Sequence, residues 1–206
     1  GYPYKIYRVD IPGNGVISPY TNSLILNKKV LVPMGTYSTF NEKALALYRE
    51  AMPGYEVIGI ENKTSKGWLN TDALHCRTRG VMDFDMLYID HRNVLFGEYE
   101  WQDSLAVTSQ VIAYSGAELK QDSLLVYYSI NGGKYQAINM KPTANPDEYV
   151  AYIKGYKKGS KVSYYVFAAD ESGRNRQQPI FGEVEPHSFT IAGEENIFEN
   201  DLAEIK

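Results

Sequence analysis

The sequence predicts an α/β region followed by an all-β sandwich, and three features lead to that reading. Residues 1–101 mix strand-like and helix-like apolar spacing. From residue 102 the helical spacing vanishes, and short runs rich in Tyr, Val and Ile alternate with turn residues. Residues 194–206 are acidic, with only scattered Ile197, Phe198, Leu202 and Ile205, and read as a tail or linker. The expected domains are therefore 1–101, 102–193 and the tail 194–206.

Bulk properties exclude some functions. Hydrophobic residues make up 44% of 206, enough to bury a real core. The charge balance, 21 − 25 = −4, gives no general attraction to nucleic acid or anionic membrane, so no nucleic-acid partner is expected. No apolar run approaches the roughly 18–20 residues of a membrane span, and no basic-then-apolar leader opens the chain. It begins at Gly1 with Tyr2-Pro3-Tyr4-Lys5-Ile6-Tyr7 already approaching a strand, so a processed or truncated chain is expected.

The elements follow in order. Lys5–Val9 and the Pro12–Gly15 turn cluster open the first region. Ser23–Leu26 and Val30–Pro33, separated by Asn27-Lys28-Lys29, read as a tight hairpin with both strands largely buried. Thr39 with Glu42 three residues later is a capping-box pattern and predicts a helix start. Ala44, Leu45, Tyr48 and Met52 give that helix its apolar face, and Pro53-Gly54 ends it near Ala51. Tyr55–Ile60 is a further strand. Val81–Ile89 alternates acidic and apolar residues, which predicts a strand with Phe84, Met86 and Tyr88 on its buried face.

In the second region the expected strands are Val107–Tyr114, Leu124–Ile130, Lys134–Ile138, Tyr149–Ile153, Val162–Ala168 and Ser188–Ile191. Asn131-Gly132-Gly133 marks a hairpin because Asn-Gly supplies the positive φ angles of a two-residue turn. About seven strands in some 90 residues is the pattern of an immunoglobulin-like sandwich. Tyr127-Tyr128 and Tyr164-Tyr165 are neighbouring pairs in strands, so one of each faces outward and offers a partner an aromatic anchor.

The lone cysteine, Cys76, rules out an internal disulfide and lies in the polar stretch Asp72-Ala73-Leu74-His75-Cys76-Arg77-Thr78, where a core-filling role is disfavoured. This stretch resembles the guanidine-modifying hydrolases, and within them the bacterial peptidylarginine deiminases, whose cysteine sits in a similar Leu-His-Cys-Arg-Thr context. Pro19–Asn27 ahead of Val30–Pro33 is similar to the strand pair that carries the family's active-site asparagine, here Asn22, which stands 76 − 22 = 54 residues before Cys76.

The resemblance spans about residues 1–100 and implies the last two or so modules of an α/β propeller with pseudo-fivefold symmetry, followed by the immunoglobulin-like module that secreted members carry. It further implies covalent catalysis: the Cys76 thiolate attacks the guanidinium carbon of a peptidyl-arginine, ammonia leaves, and water releases peptidyl-citrulline. Asn22 would line the site, and Thr71 and Asp72 would shape the guanidinium pocket. The family's proton shuttle is a His-x-Asp pair, whereas the three histidines here stand in His75-Cys76-Arg77, His91-Arg92-Asn93 and His187-Ser188-Phe189. The chain is thus expected to supply the nucleophile but to be inactive alone, with the missing N-terminal part of the catalytic domain as a candidate partner in a separate chain.

Family likeness also implies arginine-containing proteins or peptides as substrates, export or attachment at the bacterial surface, and no cofactor or metal. His75 is rejected as the catalytic base because adjacent side chains on extended backbone diverge. Asp83 and Asp85 read as a solvated strand face rather than a metal site. Two other functions fit the sequence: deimination of a small guanidine such as agmatine, and a tyrosine-rich binding module in which Cys76 is incidental.

Overall fold

A computed structural model describes residues 5–13, 18–64, 67–68 and 72–193. The chain divides into two compact units, Gly1–Met82 and Asp83–Lys206. The expected acidic tail, 194–206, lies outside the described residues. Among the described residues the chain is mostly β-sheet with one α-helix, and no helix is long and apolar enough to cross a membrane.

In the first unit, β1 (Leu24–Leu26) and β2 (Lys29–Pro33) form the expected antiparallel hairpin, turning at Asn27 with φ 53°. Helix α1 (Ser38–Ala51) then returns the chain so that β3 (Glu56–Ile60) lies parallel to β2. Parallel neighbours need such a crossover, and the helix covers the sheet while making it. Val30 and Val32 of β2 are fully buried with Tyr20 and Ala44, packed by Leu45 and Tyr48 of the helix and by Met52 at its C-cap. The expected apolar face of the helix is therefore the one in use.

Two expectations fail in this unit. Strand β1 is not largely buried: Ile25 and Leu26 are each more than half exposed, because β1 is the edge of a three-stranded sheet with its core on β2. The capping box does not form either. Tyr37 is the N-cap and no side chain caps the helix, so Thr39 already sits inside the first turn. Asn41 does the work at this end instead, accepting the Gly35 N–H at 2.8 Å and donating to the Gly35 carbonyl at 3.1 Å.

The second unit holds two sheets around one core. One sheet runs β4 (Leu87–Asp90), β6 (Leu105–Ala113), β10 (Glu148–Ile153), β9 (Lys141–Pro142), all antiparallel. The other runs β5 (Gly97–Tyr99), β13 (His187–Ile191), β11 (Lys161–Ala169), β7 (Leu125–Ile130), β8 (Gln136–Asn139), with β12 (Asn175–Gln178) also pairing with β11. Val107, Val111 and Ile153 from the first sheet and Val126, Val162, Val166 and Ile191 from the second share the core. The β7–β8 turn is the expected one, with Asn131 at φ 51° and Gly132 at φ 70°. Among the described residues ten strands form where about seven were expected: β5, β9 and β12 are too short or too polar to stand out by periodicity, and β4 was read within Val81–Ile89 as part of the first region.

Strand β4, read in sequence within Val81–Ile89, and β5, unread as a strand, both fall in the expected first region but pair with β6 and β13. Their faces also differ from expectation. Leu87 and Ile89 are buried, whereas Phe84 and Tyr88 are exposed. The cause is a turn: Asp85 N–H donates to Asp83 Oδ1 and Met86 N–H to the Asp83 carbonyl, so the strand begins only at Leu87. A one-residue slip of a period-two pattern exchanges its faces. Asp83 and Asp85 lie 3.8 and 3.9 Å from Arg174, a loose surface ion pair.

The tyrosine pairs alternate as expected, but the outward members are not free. Tyr128 and Tyr164 enter the core, while Tyr127 and Tyr165, opposite each other in register, stack at 4.9 Å and 13° on the other face. Tyr165 is only 7% exposed there.

Within the core lies a polar cluster. His91 Nδ1 is 2.9 Å from the Thr108 carbonyl, which can only accept, so Nδ1 carries the proton and Nε2 accepts the Tyr164 hydroxyl at 2.8 Å. That hydroxyl accepts the Leu95 N–H at 2.8 Å. The His187 ring stands 5.4 Å from His91, and its buried Nε2 has no hydrogen-bond partner among the described residues. Burial, reinforced by the neighbouring His91, pushes the His187 imidazole down to about 4, and burial also lowers His91.

Candidate active site

The site is built on a turn anchored to helix α1. Residues 19–22 turn back on themselves through the Asn22 N–H to the Pro19 carbonyl, 2.9 Å. Tyr20 fills the core beneath this turn at 1% exposure, and its hydroxyl donates to Asn41 Oδ1 at 2.9 Å. A Cβ at residue 35 would stand 3.0 Å from that hydroxyl, so glycine lets the ring seat. From the same helix the Tyr48 hydroxyl is 2.9 Å from the Tyr20 carbonyl and 3.0 Å from Ser23 Oγ. Two helix side chains thus hold the residues on either side of Asn22, Tyr20 and Ser23.

Asn22 in turn holds the cysteine. Its Oδ1 accepts the N–H groups of Ala73 and Cys76 at 3.2 and 3.1 Å, and its backbone carbonyl accepts the N–H of His75 at 3.1 Å. Its Nδ2 donates to Cys76 Sγ at 2.7 Å. Cys76 is the middle residue of a single 3-10 turn, His75–Arg77, and is exposed. Ala73, fully buried, pins the stretch leading into the turn. The chemistry follows from this arrangement: an accessible thiol with an amide donor aimed at its sulfur suits a negatively charged sulfur.

The expected site residues fare differently. Asn22 and Cys76, 54 residues apart in sequence, are brought into direct contact. Asp72 is engaged by Arg77, whose Nε and Nη2 lie 3.3 and 3.2 Å from Asp72 Oδ2. Thr71 lies outside the described residues. Among the described residues no hydrogen bond joins the His75 ring to Cys76, and no cluster of His, Cys, Asp or Glu is placed to hold a metal. Sequence reasoning missed the positioning roles of Tyr20, Asn41 and Tyr48; Arg77 stands out in sequence as a cationic neighbour of Cys76, but its pairing with Asp72 was not read. Tyr48 gave a signal as part of the helix's apolar face; its hydroxyl's target is a contact over 28 residues that spacing does not encode.

A hairpin and crossover helix thus support a thiol-centred site held by an asparagine. Residues 1–81 match the family model of the Porphyromonas-type peptidyl-arginine deiminases, whose family activity is that of a hydrolase acting on peptidyl-arginine. The match bears out the resemblance read from the Asn22 and Cys76 segments, over a stretch somewhat shorter than the 1–100 expected. Among solved structures, the bromine derivative of BhCBM56 matches with 12% identity and a TM-score of 0.31, over 53% of this chain and 96% of that one. An engineered protein matches with 10% identity and a TM-score of 0.37, over 77% of this chain; the chain spans 37% of that protein's length.

Proposed function

We propose that this chain takes part in hydrolysing the guanidinium of peptidyl-arginine to peptidyl-citrulline and ammonia, with Cys76 as nucleophile. The observation that carries this reading is the Asn22 amide on Cys76 Sγ, inside the segment that matches the deiminase family. The thiolate bonds to the guanidinium carbon, and a terminal nitrogen takes up a proton and leaves as ammonia. Water then adds to the thiouronium carbon and gives up a proton, the C–S bond breaks, and the thiolate returns as the ureido product departs. Asn22 steadies the sulfur in both half-reactions, and Thr71 and Asp72 are assigned to substrate binding.

Two proton transfers and a grip on the cationic guanidinium remain to be supplied. None of the three histidines stands in a His-x-Asp pair. In this reading those groups come from an N-terminal part of the catalytic domain, in the same polypeptide or in a separate one. The β1–β2–α1–β3 unit is then part of a propeller module, the sandwich an immunoglobulin-like domain, and the protein an exported or surface-associated enzyme acting on arginine-containing proteins or peptides.

The test is citrulline formation from an arginine peptide by the full-length protein, with and without Cys76→Ala, beside free agmatine. Loss of product on substitution, with the peptide preferred, supports the reading. Turnover that survives Cys76→Ala sinks it, and preference for agmatine moves the substrate to the small guanidines.

A further inference from the structure

We propose that Arg77 is a positioning residue for Cys76: its guanidinium, seated on Asp72, closes the nucleophile turn end to end. The inference rests on the reading of Cys76 as the deiminase nucleophile, and it gives Asp72 a role that acts through the turn, distinct from gripping the substrate guanidinium.

The turn has little else to hold this end. No residue of His75–Arg77 is buried, so apolar packing does not fix it. Its backbone bonds, Arg77 N–H to the Leu74 carbonyl at 3.3 Å and Thr78 N–H to the His75 carbonyl at 3.4 Å, are long against the roughly 2.9–3.0 Å usual for amide pairs. Asn22 secures Ala73, His75 and Cys76 but makes no bond beyond residue 76. On the far side, among the described residues, the Thr78 hydroxyl reaches back to the Leu74 and His75 carbonyls at 3.0 and 3.3 Å.

The Arg77–Asp72 pair supplies the missing closure. Nε and Nη2 converge on one carboxylate oxygen, a geometry that a lysine ammonium does not reproduce. The two residues flank Cys76 in sequence, so the pair sets the separation of the ends between which the sulfur is presented. As a stability element it is minor: both side chains are nearly half exposed, at 46% and 45%, where such pairs contribute little. Its effect belongs in the placement of the thiol, because small displacements of a reacting atom cost rate far more than they cost folding.

The experiment compares Arg77→Ala, Arg77→Lys, Asp72→Asn and the double variant Arg77→Ala/Asp72→Asn in the full-length protein. Three quantities are read: kcat and KM for citrulline formation, the rate of Cys76 alkylation by iodoacetamide, and amide hydrogen exchange over residues 73–78. Arg77→Ala is expected to lower kcat about 10- to 100-fold with KM changed less than about threefold. Lysine should restore only a small part of kcat. Asp72→Asn should fall in the same range, and the double variant should be no worse than the poorer single one, since both break one interaction. Exchange at the Arg77 and Thr78 amides should quicken while β2 is unchanged.

Unchanged exchange, or full activity with lysine, overturns the brace. So does Arg77→Ala with kcat kept and KM lowered, which would make Arg77 a mask over a substrate carboxylate. A parent protein that makes no citrulline removes the deiminase reading alone; exchange and alkylation in Arg77→Ala still decide whether the pair holds the turn.

Discussion

Cys76 and Tyr164 mark two regions held in place by opposite means. Cys76 is exposed on a turn with no buried residue, fixed by hydrogen bonds from Asn22 and an ion pair at its margin. Tyr164 is fully buried in β11, packed against Phe189 and bonded to His91. Polar ties set direction and distance but add little folding energy when water competes for the same groups, whereas burial adds energy with little directional control. The difference teaches where each kind of substitution should be felt: in rate at the turn, and in stability at the core.

Asn22 gives the sharpest contrast. Asn22→Ala removes three of its four contacts to the cysteine stretch, the amide on Sγ among them, and leaves there only the backbone carbonyl to His75. The expected loss in kcat is about 100-fold or more, with a stability change under about 1 kcal/mol. Steady-state citrulline kinetics beside thermal unfolding will read both. Asn22→Asp keeps an acceptor for the two amides but sets a carboxylate oxygen against the sulfur, and should be as impaired in rate. A variant that loses folding and activity in parallel would break the comparison.

Tyr164→Phe is the mirror case. It keeps the ring and removes the hydroxyl, stranding His91 Nε2 and the Leu95 N–H in the interior. Two abandoned buried groups should lower the unfolding free energy by about 2 kcal/mol or more. The denaturation midpoint measures it; a loss below about 0.5 kcal/mol would mean that water reaches the cluster and that it is less dry than its burial indicates.

Periodicity disclosed the elements in which one side of the chain is apolar: the hairpin, the helix face, β6, β7, β10 and β11 all fall within a residue or two of their sequence reading. It failed where a local polar bond reset the count, as at Asp83–Met86, where an Asp side chain turns the chain just before β4. It failed again at the helix start, where Thr39 and Glu42 look like a cap but Asn41, bonded to Gly35 and Tyr20, fixes the geometry. At the site, composition singled out Cys76, and the family pattern supplied Asn22. Their contact, and the tyrosines beneath it, depend on bonds across 21 to 54 residues, which no local pattern carries.

Acid should weaken the sandwich through its histidines. In the folded state His187 titrates at about 4 and His91 is also lowered, whereas unfolded imidazoles titrate near 6.5. Between those values the unfolded chain binds protons that the folded one refuses. Stability is therefore full above about pH 6.5 and falls as pH drops toward 4. Thermal unfolding across this range should show a declining Tm, and His187→Phe should flatten the decline by removing the imidazole whose Nε2 has no acceptor. The titratable neighbours are His91 and Tyr164, and the bond to the Thr108 carbonyl and then the Asp90 carboxylate partly offset burial at His91. A Tm that stays level from pH 7 to 4 would mean that the cluster opens to solvent before it protonates.

Tyr48 joins the two modes within a single residue, so it should cost less rate than Asn22→Ala and less stability than Tyr164→Phe. Its ring packs with the core under β2, while its hydroxyl lies 2.9 Å from the Tyr20 carbonyl and 3.0 Å from Ser23 Oγ, on either side of Asn22. Tyr48→Phe keeps the packing and cuts the tie, at an expected cost of about 1 kcal/mol in stability. The rate should fall several-fold, since the turn bearing Asn22 keeps its Pro19 bond and the Tyr20 anchor to Asn41. Measured together, the two numbers say how stiffly the helix transmits position to the sulfur. A loss in kcat approaching that of Asn22→Ala would place the hydroxyl among the main determinants of the site, and no loss would show that Tyr20 alone secures it.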